Sequence, residues 1–351
     1  MIKDILNDLV RCADSEGNLT RAKYRDEGSF TTDKIEAVFG SFREARRQAG
    51  LERTRGQNQF QNQLARHVSH DDYRQFVIDR KDYGDKFRRP DSKRFQSMLV
   101  CTDVHDIECD PFWRRVFLDT VKRVRPDKLI FGGDLFDLAE FGRYGVDPRE
   151  WDVVGRIKWV HKFLEDCREA AGESTEFVLI EGNHEHRLLR HMADATPALK
   201  SVLSDLHGFT IPKLLGLDKY EVRYVARADL ATFNQSNVRH EVGKNYECFY
   251  DAFMVDHFPS GANRGVPGCN GHHHSHQSTS YYSHVYGSYE WHQLGSGHRR
   301  AASYCDGEKW NMGFAEINID TQTKLSTTSY HPVADFAVIS GKWYVREPDE
   351  Q

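Results

Sequence analysis

The stretch that most restricts how this chain can fold is Lys128-Leu129-Ile130-Phe131-Gly132-Gly133-Asp134-Leu135-Phe136-Asp137. An apolar run of this length followed by paired glycines reads as a buried central strand whose backbone turns sharply at its C-terminal end. Asp134 then stands at the mouth of a sheet. Three further segments have the same form: Ser97-Met98-Leu99-Val100-Cys101-Thr102-Asp103-Val104-His105, Phe177-Val178-Leu179-Ile180-Glu181-Gly182-Asn183-His184, and Phe253-Met254-Val255-Asp256-His257. Each is an apolar strand that finishes on residues able to ligate a metal, and in open α/β sheets sites collect at the strand C-termini.

Around these strands the pattern alternates. Helices are predicted from about Asp110 to Val124, from about Arg149 to Ala171 and from Glu185 to about Leu206. After Gly216 short strands and turns take over, with hairpin signals at Asp306-Gly307 and Asp320-Thr321. This order predicts an α/β domain over residues 95–351, its mixed sheet closed by antiparallel strands. Residues 1–55 read instead as a small all-α domain. Ile5, Leu6, Leu9 and Val10 repeat at helical spacing, Thr20 opens a second helix, and Thr31 or Thr32 caps a third. Phe39-Gly40-Ser41-Phe42 then restarts the chain for a last helix ending at Ala49-Gly50-Leu51. Residues 56–94 form a polar linker with one helix expected from Asp71 to Tyr83.

Composition narrows the class of protein. The N-terminal start carries acids where a signal peptide needs an unbroken apolar core, and no stretch approaches a membrane span. A cytoplasmic protein without a membrane partner is expected. Seven scattered cysteines with no Cys-x-x-Cys pair argue against a disulfide framework or a zinc ribbon. The formal charge of -5 hides an asymmetry: residues 1–97 hold 20 Lys and Arg against 16 Asp and Glu, and the remainder 28 against 37. The acidic larger part suits divalent cations, and the basic front suits a polyanion.

Together the strand ends supply Asp103-x-His105, Gly133-Asp134, Gly182-Asn183-His184, His257 and Gly271-His272-His273-His274. Two divalent ions held close together need an oxygen ligand that touches both, and a carboxylate is suited to bridging. Asp134, on its glycine turn, is the candidate. Imidazole and carboxamide add neutral ligands, so the paired site keeps the positive charge needed to polarise a phosphoryl oxygen and generate hydroxide at neutral pH.

With these motifs in this order, the chain from about Phe95 onward resembles the calcineurin-like metallophosphoesterases. The resemblance implies a two-sheet sandwich flanked by helices. It implies that Asp103, His105, Asp134 and His274 hold a first metal and that Asp134, Asn183, His257 and His272 hold a second. His184 would stay unligated and donate a proton to the leaving oxygen as metal-bound hydroxide attacks the phosphate, with Asp134 the other catalytic residue. Manganese is the expected metal, with iron, zinc or magnesium as alternatives. His274 with His276 has the same spacing as His272 with His274, but lacks the preceding glycine that lets a backbone approach a metal closely. His273, His276, His284 and His298 are therefore read as surface or outer-shell histidines. Relatives place a helix before the Gly-His-x-His turn. Here only Phe258 to Asn270 intervene, with Pro259, Gly261, Gly265, Pro267 and Gly268, so a loop is expected there and His240 is kept as a substitute for His257.

Protein phosphatases of this superfamily carry Gly-Asp-x-x-Asp-Arg-Gly. This chain reads Gly133-Asp134-Leu135-Phe136-Asp137-Leu138-Ala139, which is similar to the branch of DNA exonucleases that process double-strand breaks. Residues 1–51 resemble the helical repeats attached to homing endonucleases and other phage-borne nucleases, through Tyr24, Gly28, Ser29, Phe39, Gly40, Ser41, Phe42, Ala45, Ala49, Gly50 and Leu51. That resemblance implies DNA binding, with Arg21, Lys23, Lys34, Arg43, Arg46 and Arg47 as candidate phosphate contacts. The expectation is a DNA phosphodiesterase, phage-encoded and acting in the host cytoplasm, with a homodimer admitted. A phosphatase or cyclic-nucleotide phosphodiesterase is the alternative, and a DNA-binding protein with a silent metal site is a third.

Overall fold

A computed structural model describes residues 2–14, 19–51, 86–91, 93–142, 147–185, 187, 211–225, 246–258, 265–284, 287–302, 305–306 and 309–350. Two compact units divide the chain, Met1–Asp72 with Leu230–Val242 and Tyr73–Asp229 with Gly243–Gln351. The expected helix from Asp71 to Tyr83, most of the one from Glu185 to Leu206, and His240 lie outside the described residues.

Among the described residues the first unit has four helices, α1 (Ile2–Cys12), α2 (Arg21–Glu27), α3 (Thr32–Phe39) and α4 (Phe42–Gln48), the last three following caps that the sequence offers. The side chains of Thr20, Thr31 and Ser41 each accept a hydrogen bond from the backbone N–H three residues on, which satisfies a donor that the first helical turn leaves open. Gly40 closes α3 in the left-handed region at φ 80°. Ile5, Leu9, Tyr24, Ile35, Phe42 and Ala45 form the core of this unit.

A buried carboxylate ties that core together. Asp8 accepts hydrogen bonds from the Tyr24 hydroxyl at 2.5 Å, from the Ser29 backbone N–H at 2.7 Å and from the Ser29 hydroxyl at 2.8 Å. Burial opposes its ionisation, but these donors and Arg11 outweigh burial and hold the carboxyl down at about 2. Asp8→Ala should destabilise the helical unit by about 2–4 kcal/mol, because several bonds to a charged acceptor vanish at once. The wild-type contribution is complete above the ordinary aspartate range and fades as pH falls through about 2. Amide exchange across α1–α4 reports the change; unaltered protection would contradict it.

The second unit is a sandwich of two sheets. Strands β1 (Phe95–Cys101), β2 (Lys128–Phe131), β3 (Glu176–Ile180) and β4 (Val222–Val225) run parallel, and β12 (Met312–Asp320) and β13 (Leu325–Val333) extend the sheet antiparallel beside β1, in the order β13-β12-β1-β2-β3-β4. The second sheet has the order β5-β6-β7-β9-β8, built from β5 (Tyr246–Phe249), β6 (Phe253–Asp256), β7 (Gly268–Asn270), β8 (Gln277–Ser283) and β9 (Gly287–Gln293). Two small ribbons, β10 (Ala301–Ala302) with β11 (Cys305–Asp306) and β14 (Phe336–Ile339) with β15 (Lys342–Val345), complete the strands.

The apolar runs within these strands, Met98 to Cys101, Leu129 to Phe131 and Phe177 to Ile180, follow from burial on both faces. Leu99, Cys101, Leu129, Phe131, Phe177 and Leu179 point into a core shared with α5 (Pro111–Val124) and α6 (Val153–Ala171). The alternate residues Met98, Val100, Ile130, Val178 and Ile180 face Phe249, Phe253, Val255 and Cys269 of the second sheet. Asp110 caps α5 through the Trp113 N–H, and Asp152 caps α6 through Gly155. The long helix thus starts at Val153 rather than near Arg149, where Pro148–Glu150 forms a separate 3-10 turn. Proline at residue 148 tolerates the first turn of a helix but not its interior.

Candidate metal centre

The strand ends predicted to carry ligands are strand ends: β1 stops at Cys101, β2 at Phe131, β3 at Ile180 and β6 at Asp256. Beyond them the loops stay paired. Asp103 N–H donates to Gly133 O at 3.0 Å and His105 N–H to Asp134 O at 3.1 Å, which fixes the first two acid-bearing turns side by side. Asp103, His105, Asp134, His272 and His274 all have left-handed backbone, with φ between 52° and 78°. For residues with a β-carbon this costs on the order of 1 kcal/mol each, and such strain gathers where surrounding structure must aim side chains at one point. Glycine is required at residue 182, because a β-carbon there would fall on the Asp134 carboxylate and backbone.

The centre is organised around Asp134 Oδ2. His257 Nε2 lies 3.3 Å from it, His184 Nε2 3.5 Å and His105 Nε2 4.0 Å. Asn183 Oδ1 is 2.9 Å from His257 Nε2, and His274 Nε2 is 3.4 Å from Asp103 Oδ1. Three donor trios emerge, Asp103 with His105 and His274, His105 with Asp134 and His184, and Asp134 with His257 and His272, each with its ligand atoms within 4.8 Å of one another. Asp103, Asp134, His105, His257 and His274 are buried, and His272 is half-buried.

The electrostatics suit cations. Burial opposes ionisation of Asp134, yet His184, His257 and His105 hold it well below the usual carboxylate range. Asp103 is likewise held low, against burial, by His274 and His257. Burial and the neighbouring His184 push His105 down to about 4, while burial and His257 take His272 to about 4, so both imidazoles keep a free electron pair at neutral pH. His105 Nε2 and His274 Nδ1 are buried with no hydrogen-bond partner. His257 differs: burial opposes its charge, but Asp134 outweighs burial and raises it to about 9, so a metal there would displace a proton. Ionised carboxylates, imidazoles and a carboxamide brought together, with a buried nitrogen unsatisfied, fit divalent ions.

Residues 97–295 match the family described as calcineurin-like phosphoesterase, more than half of the chain. The chain belongs to that family. Calcineurin-like phosphoesterases are metal-dependent hydrolases, and the donor trios stand where such chemistry needs them. Nothing matches among curated proteins. Similar solved structures include a single mutant of Vps29 from Entamoeba histolytica, with 10% identity over 71% of this chain and 96% of that one at a TM-score of 0.30. A conserved uncharacterized protein, a predicted phosphoesterase from Streptococcus pneumoniae, shows 13% identity over 73% of this chain and 100% of that one at a TM-score of 0.25.

Within this calcineurin-like centre, the structure separates the histidines that the sequence left in competition. His272 and His274 reach the ligand cluster. His276 instead lies flat on Tyr330, ring centroids 3.6 Å apart. His257 occupies the position for which His240 was the substitute, and the segment 259–264 that follows it is outside the described residues. Exposure of His273 and His284 agrees with a surface reading. His298 is no surface residue: it is fully buried with its ring 4.8 Å from His105 and 5.5 Å from His274.

Three supporting residues were not legible as such. Glu185 accepts hydrogen bonds from the N–H groups of Gly182 (2.8 Å), Asp134 (3.1 Å), Leu135 (2.8 Å) and Phe136 (3.1 Å), so one carboxylate clamps the turns after β2 and β3 together. Asp137 Oδ1 lies 3.0 Å from His105 Nδ1 and 3.1 Å from His184 Nδ1, orienting both rings so that their Nε2 atoms face Asp134. Asp106 in turn accepts the Asp137 N–H at 2.8 Å and the Arg156 guanidinium at 2.6 Å. The spacing Asp134-x-x-Asp137 and the residue after Asn183-His184 were the available signals, and their partners sit some 50 residues away in sequence.

The candidate DNA contacts all belong to the helical unit. Lys34, Arg43 and Arg47 are exposed, and Lys23 and Arg46 are half-buried. Arg21 pairs with Glu36 at 3.0 Å and Arg47 with Glu44 at 2.6 Å.

Proposed function

We propose that this chain is a nuclease of the calcineurin-like family that hydrolyses DNA phosphodiesters with a pair of manganese ions. The observation that carries the hydrolytic centre is the placement of Asp134 Oδ2 among three imidazole Nε2 atoms at 3.3, 3.5 and 4.0 Å, with a second carboxylate, Asp103, on one flank. Asp103, His105, Asp134 and His274 would hold one ion, and Asp134, Asn183, His257 and His272 the other. Bound there, the ions supply Lewis-acid polarisation of the phosphoryl group.

The remaining work falls to side chains. Asp137 fixes the His184 ring through Nδ1, leaving Nε2 toward the reacting centre. Burial opposes a charge on His184, but Asp134 and Asp137 outweigh it and raise its affinity for a proton. His184 is thereby suited to carry a proton and deliver it to the leaving oxygen. The choice of DNA is supported by the capped helical unit, on which Lys34, Arg43 and Arg47 are exposed, and its likeness to nuclease-borne repeats, and by Gly133-Asp134-Leu135-Phe136-Asp137 lacking the arginine of the phosphatases.

Full-length protein with Mn²⁺, Mg²⁺ or EDTA, presented with linear duplex, single-stranded and circular DNA and with an aryl phosphomonoester and diester, tests this reading. DNA should be cut with Mn²⁺ and spared with EDTA. Replacing Lys34, Arg43 and Arg46 together by alanine should weaken DNA binding and flatten its salt dependence by roughly 2–3 in logarithmic slope, at about 0.9 per phosphate contact. Hydrolysis of the aryl diester should be unchanged. Intact DNA beside a hydrolysed phosphomonoester would replace this reading by a phosphatase, and equal loss on both substrates would reduce the helices to support of the fold.

A further inference from the structure

A single buried guanidinium gathers four acids from the turns that carry the metal centre. Arg156, on α6, donates from Nη1 to Asp106 Oδ1 at 2.6 Å and from Nε to Glu140 Oε1 at 3.0 Å. Glu108 Oε1 lies 3.9 Å from its Nη2. Asp137 Oδ2, which no hydrogen bond reaches, lies 3.6 Å from its Nη1. Asp106 and Glu108 belong to the connection after β1, and Asp137 and Glu140 to the one after β2, so one helix side chain grips both. Without that cation the buried carboxylates would repel one another where little solvent screens them.

That grip reaches the ligands through Asp137. Asp106 Oδ2 accepts the Asp137 N–H at 2.8 Å, so Arg156 holds Asp137 by its main chain through Asp106 and faces its carboxylate directly. Asp137 Oδ1 in turn stands 3.0 Å from His105 Nδ1 and 3.1 Å from His184 Nδ1. Arg187 also meets Asp137, donating to the carbonyl oxygen at 3.2 Å, with its guanidinium 4.0 Å from Oδ1. The other half of the centre is aimed by different groups: His257 Nδ1 lies 3.1 Å from Gly132 O, and the His272 N–H donates to Asp103 Oδ1 at 3.0 Å.

We infer that Arg156 is a positioning residue for one half of the centre. Through Asp137 it sets the affinity for the ion at Asp103, His105 and His274 and the aim of His184, and it leaves the ion at Asp134, His257 and His272 unaffected. This rests on the hydrolytic reading above and adds to it a residue on which the two ions depend unequally. An imidazole that ligates through Nε2 is oriented and made more basic by the group on its Nδ1, and a carboxylate serves in that place only while it is itself held.

Arg156→Met in the full-length protein, which removes the charge and keeps an unbranched side chain, tests this. Manganese is titrated into the metal-free protein by calorimetry, and kcat is measured on a nitrophenyl phosphodiester and on a dinucleotide, whose leaving oxygen needs a proton. One of the two dissociation constants should rise roughly 10–100-fold, the range for loss of a group that holds a ligand, while the other keeps its value. On the dinucleotide kcat should fall about tenfold or more, with a smaller loss on the nitrophenyl ester. In an Asp137→Asn protein, adding Arg156→Met should change neither readout much further, because the path is already cut. Equal weakening of both ions, or losses that add in the double variant, would overturn the inference and make Arg156 a support of the fold alone. If Arg156→Met does not fold, Arg156→Lys, which keeps a charge but not the fork of donors, is read by the same titration with a smaller shift in the same single constant. A parent that binds two ions yet hydrolyses neither ester would remove the hydrolytic reading, and the titration by itself would then decide for or against Arg156.

Discussion

Asp134→Asn should release both metal ions and abolish hydrolysis. Asp134 shares one donor trio with His105 and His184 and another with His257 and His272, and its Oδ2 has imidazole nitrogens at 3.3, 3.5 and 4.0 Å. An amide removes the negative charge that offsets two dications and presents either an NH2 group or a weaker carbonyl donor toward them. Loss of an outer-shell partner already lowers metal affinity roughly 10–100-fold. Removal of the shared ligand should exceed that range, and metal analysis of the purified variant should find the pair gone. The fold should persist, because the turn around Asp134 is held by main-chain donors to Glu185 and by Asp103 and His105 pairing with its neighbours. Full metal content with retained turnover would contradict a bridging Asp134.

His184→Gln has the second largest expected effect, and it separates chemistry from assembly. His184 contacts Asp134 through its backbone N–H at 2.8 Å and Asp137 through its ring, and of the three donor trios the two outer ones, Asp103 with His105 and His274 and Asp134 with His257 and His272, keep every member without its imidazole. Metal content should be unchanged while kcat falls by about 10²-fold or more on a substrate with a poor leaving group, the range for loss of a general acid. With a nitrophenolate leaving group, which needs no proton, the loss should shrink. An equal deficit with both leaving groups would assign His184 to positioning, and an undiminished rate on the poor leaving group would remove it from the mechanism.

The parts of the fold legible in sequence are those where burial imposes a simple pattern. Leu129-Ile130-Phe131 and Phe177-Val178-Leu179-Ile180 are apolar throughout because both faces of β2 and β3 are covered, and a glycine follows each run where the backbone must turn. The ligand motifs were legible because they ride on those ends. β7 and β8 left no comparable trace: β7 is three residues long, and β8, Gln277 to Ser283, is a polar edge strand with little to bury. His298 could not be placed from sequence, since no apolar strand leads into it. Gly297 and His298 reach the centre through backbone bonds to Thr102 and Asp103, nearly 200 residues earlier. Arg156 was equally hidden, as one guanidinium on a long helix whose buried partners Asp106 and Glu140 come from separate loops.

The Glu185 clamp has a consequence for how such a centre can diversify. It grips the two catalytic turns by their peptide nitrogens alone, at Gly182, Asp134, Leu135 and Phe136. Its hold is therefore indifferent to which side chain each turn displays. Exchanging an acid for an amide, or an imidazole for a hydroxyl, on that rim changes the reaction offered while the bracket behind it stays closed, so reactivity and architecture are free to drift apart.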